Sequence, residues 1–396
     1  RLSGCEQGKA TTMAYALCRI PAPRVECPRQ VFNSATNLPV SQSTASPVLL
    51  SMHTRTLGRT GLLVSEVGFG AWAIGGNRYG NSYGPTDDAA SRAAIHAALD
   101  SGCTFFDTAD VYGHGHSETL LGEVLVERPR VRGEVVIATK GGGNFYNRGV
   151  DPQIAQQFAE RSGRSLNEFA PDAVLPFTHR LDFDPGYIRF AVEQSLRRLQ
   201  TDVIDLYQLH NPSLAQIADG GVFDVLDDLK RAGLIRFYGV SIHDPAEGLA
   251  AIAGGRCDTI QVVYNMFSQD AAQQLFPAAR AANVAIIARE PLANGLLSGK
   301  YDAADDFPHG DIRSRWPAHY RAARIETAVW LKQKLATPER TLAQAALRFV
   351  LDQPAVSVVI AGAKTPQQVV QNLAASDLPP LTADERATVA FLASSS

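Results

Sequence analysis

The sequence is short of several things that would have named a class at once. Cysteine is scarce. Cys5, Cys18, Cys27, Cys103 and Cys257 include no CxxC pair, so neither a zinc site nor a disulfide framework is signalled, and a reduced, cytoplasmic setting is expected. Charge of one sign is missing too. The 37 Lys and Arg against 40 Asp and Glu leave a formal net charge of -3, and no Lys/Arg-rich run supplies the basic face that nucleic acid requires. No uninterrupted apolar run reaches membrane-spanning length, so no membrane partner is expected. The dinucleotide turn of a doubly wound sheet is also absent, because Gly68-Phe69-Gly70-Ala71-Trp72-Ala73 puts no glycine at the third fingerprint position. What remains is an ordinary globular composition, 45% hydrophobic and 19% charged over 396 residues, enough for one large α/β barrel or two modest domains.

Residues 1–51 stand apart from the rest. They carry Arg1, Lys9, Arg19, Arg24 and Arg29 among scattered Pro, Ser and Thr, with no sustained apolar period. They read as a transit-like leader, as a disordered extension, or as translated sequence ahead of a start at Met52. The folded domain is expected over 52–396. It opens with a small hairpin, 55–57 and 63–65, joined through Gly58-Arg59-Thr60-Gly61.

After the hairpin, strand-like and helix-like segments alternate. Strands are expected at 67–70, 104–106, 135–139, 203–209, 235–240, 259–263, 284–288 and 356–360. Each is followed by a helical pattern, at 87–101, 117–126, 185–199, 222–232, 246–253, 271–282, 342–351 and 366–374. In the first of these Ala94, Ile95, Ala98 and Leu99 fall on one face. Most strands are continuous apolar runs, as a parallel sheet buried on both faces demands. Eight such units point to a (β/α)8 TIM barrel of the α/β class, with a doubly wound sheet as the alternative. Two stretches, 141–184 and 289–320, are far longer than ordinary βα loops and would sit at the C-terminal face, where barrels build their chemistry. The first contains Phe145, Tyr146, Phe158, Phe169 and Phe177, and reads either as a substrate-pocket wall or as an Ω-loop.

The strand ends carry the functional signal. The second strand delivers Asp107 and, one turn on, Tyr112; the third ends in Lys140 and the fourth in His210. Neighbouring barrel strands bring their ends within side-chain reach, so a carboxylate, a phenol, an ammonium and an imidazole meet at one rim. A phenol titrates near ~10, and a nearby ammonium is expected to lower that value while a carboxylate keeps the ammonium charged. The imidazole can relay a proton or hydrogen-bond a carbonyl oxygen. Singly, each of these residues has a bland reading, a turn cap, a rim charge or a structural histidine; the coincidence of four favours catalysis. His114 and His116 flank Gly115 beside Tyr112, but no carboxylate or Cys completes a ligand spacing, so no metal is expected.

The segments Phe106-Asp107-Thr108-Ala109-Asp110-Val111-Tyr112-Gly113, Ile137-Ala138-Thr139-Lys140 and Asp205-Leu206-Tyr207-Gln208-Leu209-His210-Asn211-Pro212 resemble signature segments of the aldo-keto reductase superfamily. The similarity runs from about Thr54 to Leu392, and the chain resembles bacterial-type members related to the channel β-subunit-like branch. The resemblance implies Tyr112 as general acid, Lys140 and Asp107 as its tuning pair, and His210 as the group that orients the carbonyl. It implies NADPH, or NADH, lying extended across the barrel mouth.

The cofactor segments match with departures. By resemblance Ser241 and Gln261 hold the nicotinamide carboxamide, although Ile242 stands where relatives often carry Asn or Arg, leaving His243 as a possible substitute. Arg289 occupies the place of a stacking aromatic, and its planar guanidinium can stack as well. The run Pro291-Leu292-Ala293-Asn294-Gly295-Leu296-Leu297-Ser298-Gly299-Lys300 resembles the pyrophosphate-covering segment, which makes Pro291, Leu292, Gly295, Leu297 and Lys300 cofactor candidates. Gly362, Lys364, Gln368 and Asn372 resemble the adenosine site at the start of the last barrel helix, with Lys364 facing a 2′-phosphate and Gln368 where some relatives carry Arg. Arg313 and Arg315 read equally as phosphate contacts and as surface arginines. Trp72, counted with the cofactor set, reads as a wall of the substrate pocket or as rim packing.

The expected function is NADPH-dependent reduction of an aldehyde or ketone. The alternatives are an NAD-dependent sugar or alcohol dehydrogenase using the same four groups, and a non-catalytic, cofactor-sensing regulatory subunit.

Overall fold

The computed structural model describes residues 52–78, 82–146, 152–164, 180–302 and 305–393. The leader or extension expected at 1–51 lies outside the described residues, as do Phe169 and Phe177.

The chain opens with an antiparallel hairpin of β1 (Thr54–Thr56) and β2 (Leu63–Ser65), in which Thr54 faces Ser65. The alternation follows: β3 (Val67–Gly70), α1 (Asp88–Asp100), β4 (Phe105–Asp107), α2 (His116–Glu127) and β5 (Val136–Gly141). A small excursion comes next, made of β6 (Gly143–Asn144), α3 (Pro152–Ser162) and β7 (Arg180–Leu181), before α4 (Pro185–Leu199). Then come β8 (Ile204–His210), α5 (Leu214–Asp219), α6 (Asp224–Arg231), β9 (Ile235–Ser241), α7 (Pro245–Ala253), β10 (Thr259–Val263), α8 (Leu275–Ala281) and β11 (Ala285–Arg289). The chain closes with α9 (Ala318–Leu335), α10 (Leu342–Leu351), β12 (Val356–Gly362), α11 (Pro366–Leu373) and α12 (Ala383–Ala393).

The strands β3, β4, β5, β8, β9, β10, β11 and β12 close into a parallel barrel in that order, with β12 returning to β3. This is the (β/α)8 architecture. Its helices start where side chains can take up the free N–H groups of a first turn. Asp87, Thr341 and Thr365 accept such bonds at α1, α10 and α11, and Asp244 forms a reciprocal capping box with Glu247 at α7. Outside the barrel a continuous apolar layer joins strand residues such as Phe69, Ile137 and Ile204 to helix residues such as Ile95, Val124 and Ile188.

The hairpin plugs the barrel. Leu57 and Val64, both fully buried, pack with Phe105, Val136, Ala285, Ile287 and Val358 from the strands. Gly58 permits this approach: its φ is +49°, and a Cβ there would lie 2.6 Å from the Ala285 nitrogen. Truncating Leu57 to Ala would cost about 2–5 kcal/mol by the usual cavity rule.

Two features depart from the strand-and-helix reading. The stretch after β11 ends in α9, an 18-residue helix that pairs with α12 and α10 through Leu331, Leu335, Leu342 and Val389. In the 141–184 segment, Phe145, Tyr146 and Phe158 are turned into the core against Tyr187 and Phe190. Among the described residues no helix is long and apolar enough to cross a membrane.

Candidate active site

Strand register brings the four chemical groups together. In the parallel ladder Asp107 of β4 stands beside Ala138 of β5, Lys140 of β5 beside Gln208 of β8, and His210 of β8 beside Ser241 of β9. The chain leaving β4 stays bound to β5, since the N–H groups of Thr108 and Asp110 donate to the Ala138 and Lys140 carbonyls at 2.8 and 3.0 Å. Tyr112 is then fixed by a close backbone crossing. A Cβ on Gly75 would lie 2.8 Å from the Tyr112 carbonyl carbon, and one on Gly113, at φ +62°, only 2.0 Å from the Gly75 oxygen. Neither position admits a side chain.

The cluster is tightly joined. Lys140, fully buried, donates to Asp107 Oδ1 at 2.6 Å, to the Thr108 carbonyl at 2.9 Å and to the Tyr112 hydroxyl at 3.1 Å. Asp107 Oδ2 accepts from Gln261 Nε2 at 2.7 Å and from Gln208 Nε2 at 3.3 Å. The His210 ring meets the Tyr112 ring edge-on with centroids 6.0 Å apart. On the outer side of β5, Thr139 and Arg198 donate to the two oxygens of buried Glu118 at 2.5 and 2.7 Å, which locks α2 and α4 against the strand that carries Lys140.

Electrostatics differ from the sequence expectation in one respect. Burial raises the Tyr112 hydroxyl above the ordinary phenol value; Lys140 pulls it down and Asp107 pushes it up, and burial prevails. The phenol therefore keeps its proton at neutral pH. Burial also works against the Lys140 ammonium, but Asp107 and then Tyr112 outweigh it, so the amine is held above its usual value and stays charged.

Tyr112, His210 and Asp107 line one wall of a cavity of about 740 Å³ at the C-terminal mouth of the barrel. Its other walls come from the loops after β3, β11 and β12, including Trp72, Tyr83, Asn294, Arg313 and Lys364. The profile of the Aldo/keto reductase family matches residues 66–393, which span this barrel and its site. The chain belongs to the aldo/keto reductase family. It is 30% identical over 335 residues to an NADP(+) aldo-keto reductase of Schizosaccharomyces pombe, covering 82% of this chain and 87% of that one. It is 29% identical over 335 residues to an NADH-specific methylglyoxal reductase of Escherichia coli, covering 81% and 93%. Among solved structures, the glycerol dehydrogenase of Gluconobacter oxydans superposes with a TM-score of 0.66 at 30% identity, over 86% of this chain and 95% of that one.

In this aldo-keto reductase the cavity gathers most of the residues singled out from the sequence. Trp72, Ser241, Gln261, Arg289, Pro291, Leu292, Gly295, Lys300, Gly362, Lys364, Gln368 and Asn372 all line it. Two do not. Leu297 is fully buried in the apolar cluster between α9 and α10, and Arg315 is not among the lining residues. Arg313 lines the cavity instead, paired with Asp311 at 2.6 Å and set 4.9 Å above the Tyr83 ring. Ile242 is fully buried, while His243 reaches the cavity and accepts from Arg289 at 3.1 Å. Arg289 also pairs with Glu290 and donates to the Ile242 carbonyl at 3.0 Å.

Sequence reasoning passed over Tyr83, Asn211, Asn294, Tyr301 and Trp316, which also line the cavity. The only signal for Tyr83 was its place beside the Gly84-Pro85 turn. No residue described within 141–184 lines this cavity.

The residues present fit a nicotinamide dinucleotide. Gln261 Oε1 and Asn211 Oδ1 are buried acceptors with no partner among the described residues, on two side chains that line the cavity beside Ser241. Buried acceptors of this kind cost free energy until an N–H reaches them, and a carboxamide supplies two. Ser298 Oγ is a similar unpartnered group on the side of Lys300 and Arg313.

Proposed function

We propose that this aldo-keto reductase reduces an aldehyde or ketone to an alcohol with NADPH, Tyr112 serving as the general acid. The observation that carries the reading is Lys140, whose ammonium touches Asp107 at 2.6 Å and Tyr112 at 3.1 Å at the wall of the cavity. The dihydronicotinamide, when bound, supplies the hydride that adds to the carbonyl carbon. Tyr112 gives its proton to the carbonyl oxygen as negative charge develops there. Lys140 stabilises the phenolate left behind, and Asp107 keeps Lys140 charged and aimed. His210, on the same wall, orients the carbonyl oxygen; with Tyr112 it forms a preorganised donor pair. Solvent returns the proton to Tyr112 after product leaves.

The coenzyme reading rests on Arg289, Lys300, Arg313 and Lys364, an excess of positive charge over Glu290 and Asp107 along the cavity. NADH is the alternative, favoured by Gln368 where some relatives carry Arg. The reverse reaction, oxidation of an alcohol or sugar, uses the same four groups; the name of the Gluconobacter relative, a glycerol dehydrogenase, supports it. Residues 52–396 are read as one catalytic unit. A reducing, cytoplasmic setting goes with two buried free thiols, Cys103 and Cys257.

The test is a panel of aldehydes and ketones with NADPH and with NADH, following loss of the reduced nicotinamide absorbance. Turnover is expected with at least one class of carbonyl. Tight coenzyme binding with no turnover across the panel would instead support the regulatory-subunit reading.

A further inference from the structure

Arg289 ends β11, but its guanidinium does not stay on that strand. Nη2 donates to the Ile242 carbonyl at 3.0 Å and to His243 Nδ1 at 3.1 Å, just past the end of β9, while Nη1 pairs with Glu290. In the barrel β10 lies between β9 and β11, so the guanidinium crosses the mouth end of β10, the strand that carries Gln261. Arg289 Nε is a buried donor without a partner among the described residues. Its side chain lines the cavity together with the unpartnered acceptors Gln261 Oε1 and Asn211 Oδ1. Two open acceptors and one open donor match a carboxamide, which offers two N–H groups and one oxygen.

The charge of Arg289 reaches this space despite its pairing with Glu290. Burial and then Arg289 hold the His243 imidazole below its ordinary value, and Glu247 and Glu290 only partly oppose them. After burial, Lys140 and Asp107, Arg289 is the next group that acts on the Tyr112 hydroxyl, and it pulls that phenol down. The wall between Tyr112 and His243 is therefore positive. A nicotinamide changes charge in the reaction proposed above. When a carbonyl carbon takes the hydride and its oxygen takes the Tyr112 proton, the ring that gave up the hydride gains one positive charge. The reduced ring is neutral and can stack on a guanidinium face. The oxidised ring is a cation beside a cation, in a cavity that screens charge less than water does.

We propose that Arg289 makes this site distinguish the two redox states of its coenzyme, holding the reduced form more tightly than the oxidised one. This rests on the dinucleotide reading above. The free enzyme thereby fills with reduced coenzyme and is loaded for reduction, and spent coenzyme inhibits it weakly. The same repulsion opposes the hydride step itself, which builds positive charge beside the guanidinium. The 2′-phosphate plays no part, so the NADPH/NADP⁺ and NADH/NAD⁺ pairs respond alike.

The experiment measures dissociation constants of NADPH, NADP⁺, NADH and NAD⁺ by quenching of protein fluorescence, in wild type, Arg289→Gln and Glu290→Gln. The ratio of oxidised to reduced constants within each pair cancels the contribution of the 2′-phosphate. In wild type that ratio favours the reduced form by about tenfold or more, the scale of one partly screened like-charge contact. Arg289→Gln lowers the ratio by about tenfold, mainly because the oxidised form binds more tightly. Glu290→Gln keeps the guanidinium and removes its counter-charge, so the ratio moves the other way. Equal constants in wild type would overturn the proposal, as would a ratio unmoved in Arg289→Gln or lowered in Glu290→Gln. Equal weakening of both forms in Arg289→Gln would also overturn it, leaving Arg289 a contact without redox preference. Wild-type protein that binds neither form of either coenzyme would overturn the dinucleotide reading itself, and the role of Arg289 with it.

Discussion

The cavity has two unlike halves. One is built on strands: Asp107, Lys140, His210 and Gln261 sit on β4, β5, β8 and β10, and a fully buried Lys140–Asp107 pair is satisfied by hydrogen bonds on every side. The other half is built on loops: Tyr83, Asn294, Arg313 and Lys364 come from three connections and hold one another through main-chain and side-chain oxygens. The strand half is suited to fixing a reacting oxygen. The loop half is suited to opening and closing around a long ligand. The contrast predicts that changes on strands damage chemistry and stability, whereas changes on loops alter coenzyme binding.

Lys140→Met gives the largest effect. It leaves the Asp107 carboxylate buried beside an apolar chain, and breaking such a pair costs about 3–5 kcal/mol of stability. Denaturant unfolding of the coenzyme-free protein measures it, and a loss near zero would refute the account of the strand half. Arg313→Ala comes next. It removes a guanidinium held by Asp311 and the Asn294 carbonyl at the cavity wall, and is expected to raise the coenzyme dissociation constant about tenfold with kcat little changed. A fall in kcat at unchanged coenzyme binding would erase the distinction between the halves.

The smallest expected effect is in the pH profile. A general acid acts while protonated, so reduction is lost as pH rises through its pKa. Burial holds Tyr112 above the ordinary phenol value, so kcat/KM for carbonyl reduction at saturating coenzyme changes by no more than about twofold from about pH 7 to about pH 9. A base limb within that range would show that Lys140 outweighs burial.

The same contrast decides what the sequence made legible. Strand residues were readable because a buried parallel strand is an apolar run with a sharp end, so Asp107, Lys140 and His210 were marked by position alone. Burial depth was not readable, and the direction of the Tyr112 shift was missed for that reason; an ammonium neighbour is visible in sequence, but the desolvation that opposes it depends on packing. Loop contacts were hidden by distance along the chain, Lys364 and Tyr83 being 281 positions apart. In the covering segment after β11, Pro291, Leu292, Gly295 and Lys300 line the cavity, whereas Leu297 is packed in the core, and of the two arginines weighed as phosphate contacts Arg313 lines the cavity. The helix α9 escaped notice because its inward residues Ile325, Ala328, Leu331 and Leu335 are interleaved with Arg321, Arg324, Lys332 and Lys334.

The central claim is that Tyr112 donates the proton from a site fixed by Lys140 and Asp107. Its most direct test is Tyr112→Phe, with coenzyme affinity and carbonyl reduction measured on the same preparation. The account predicts unchanged fold and coenzyme binding with kcat lowered by about 10²–10⁴-fold, the range for loss of a positioned general acid. A Tyr112→Phe protein that binds coenzyme and retains full carbonyl reduction would contradict it.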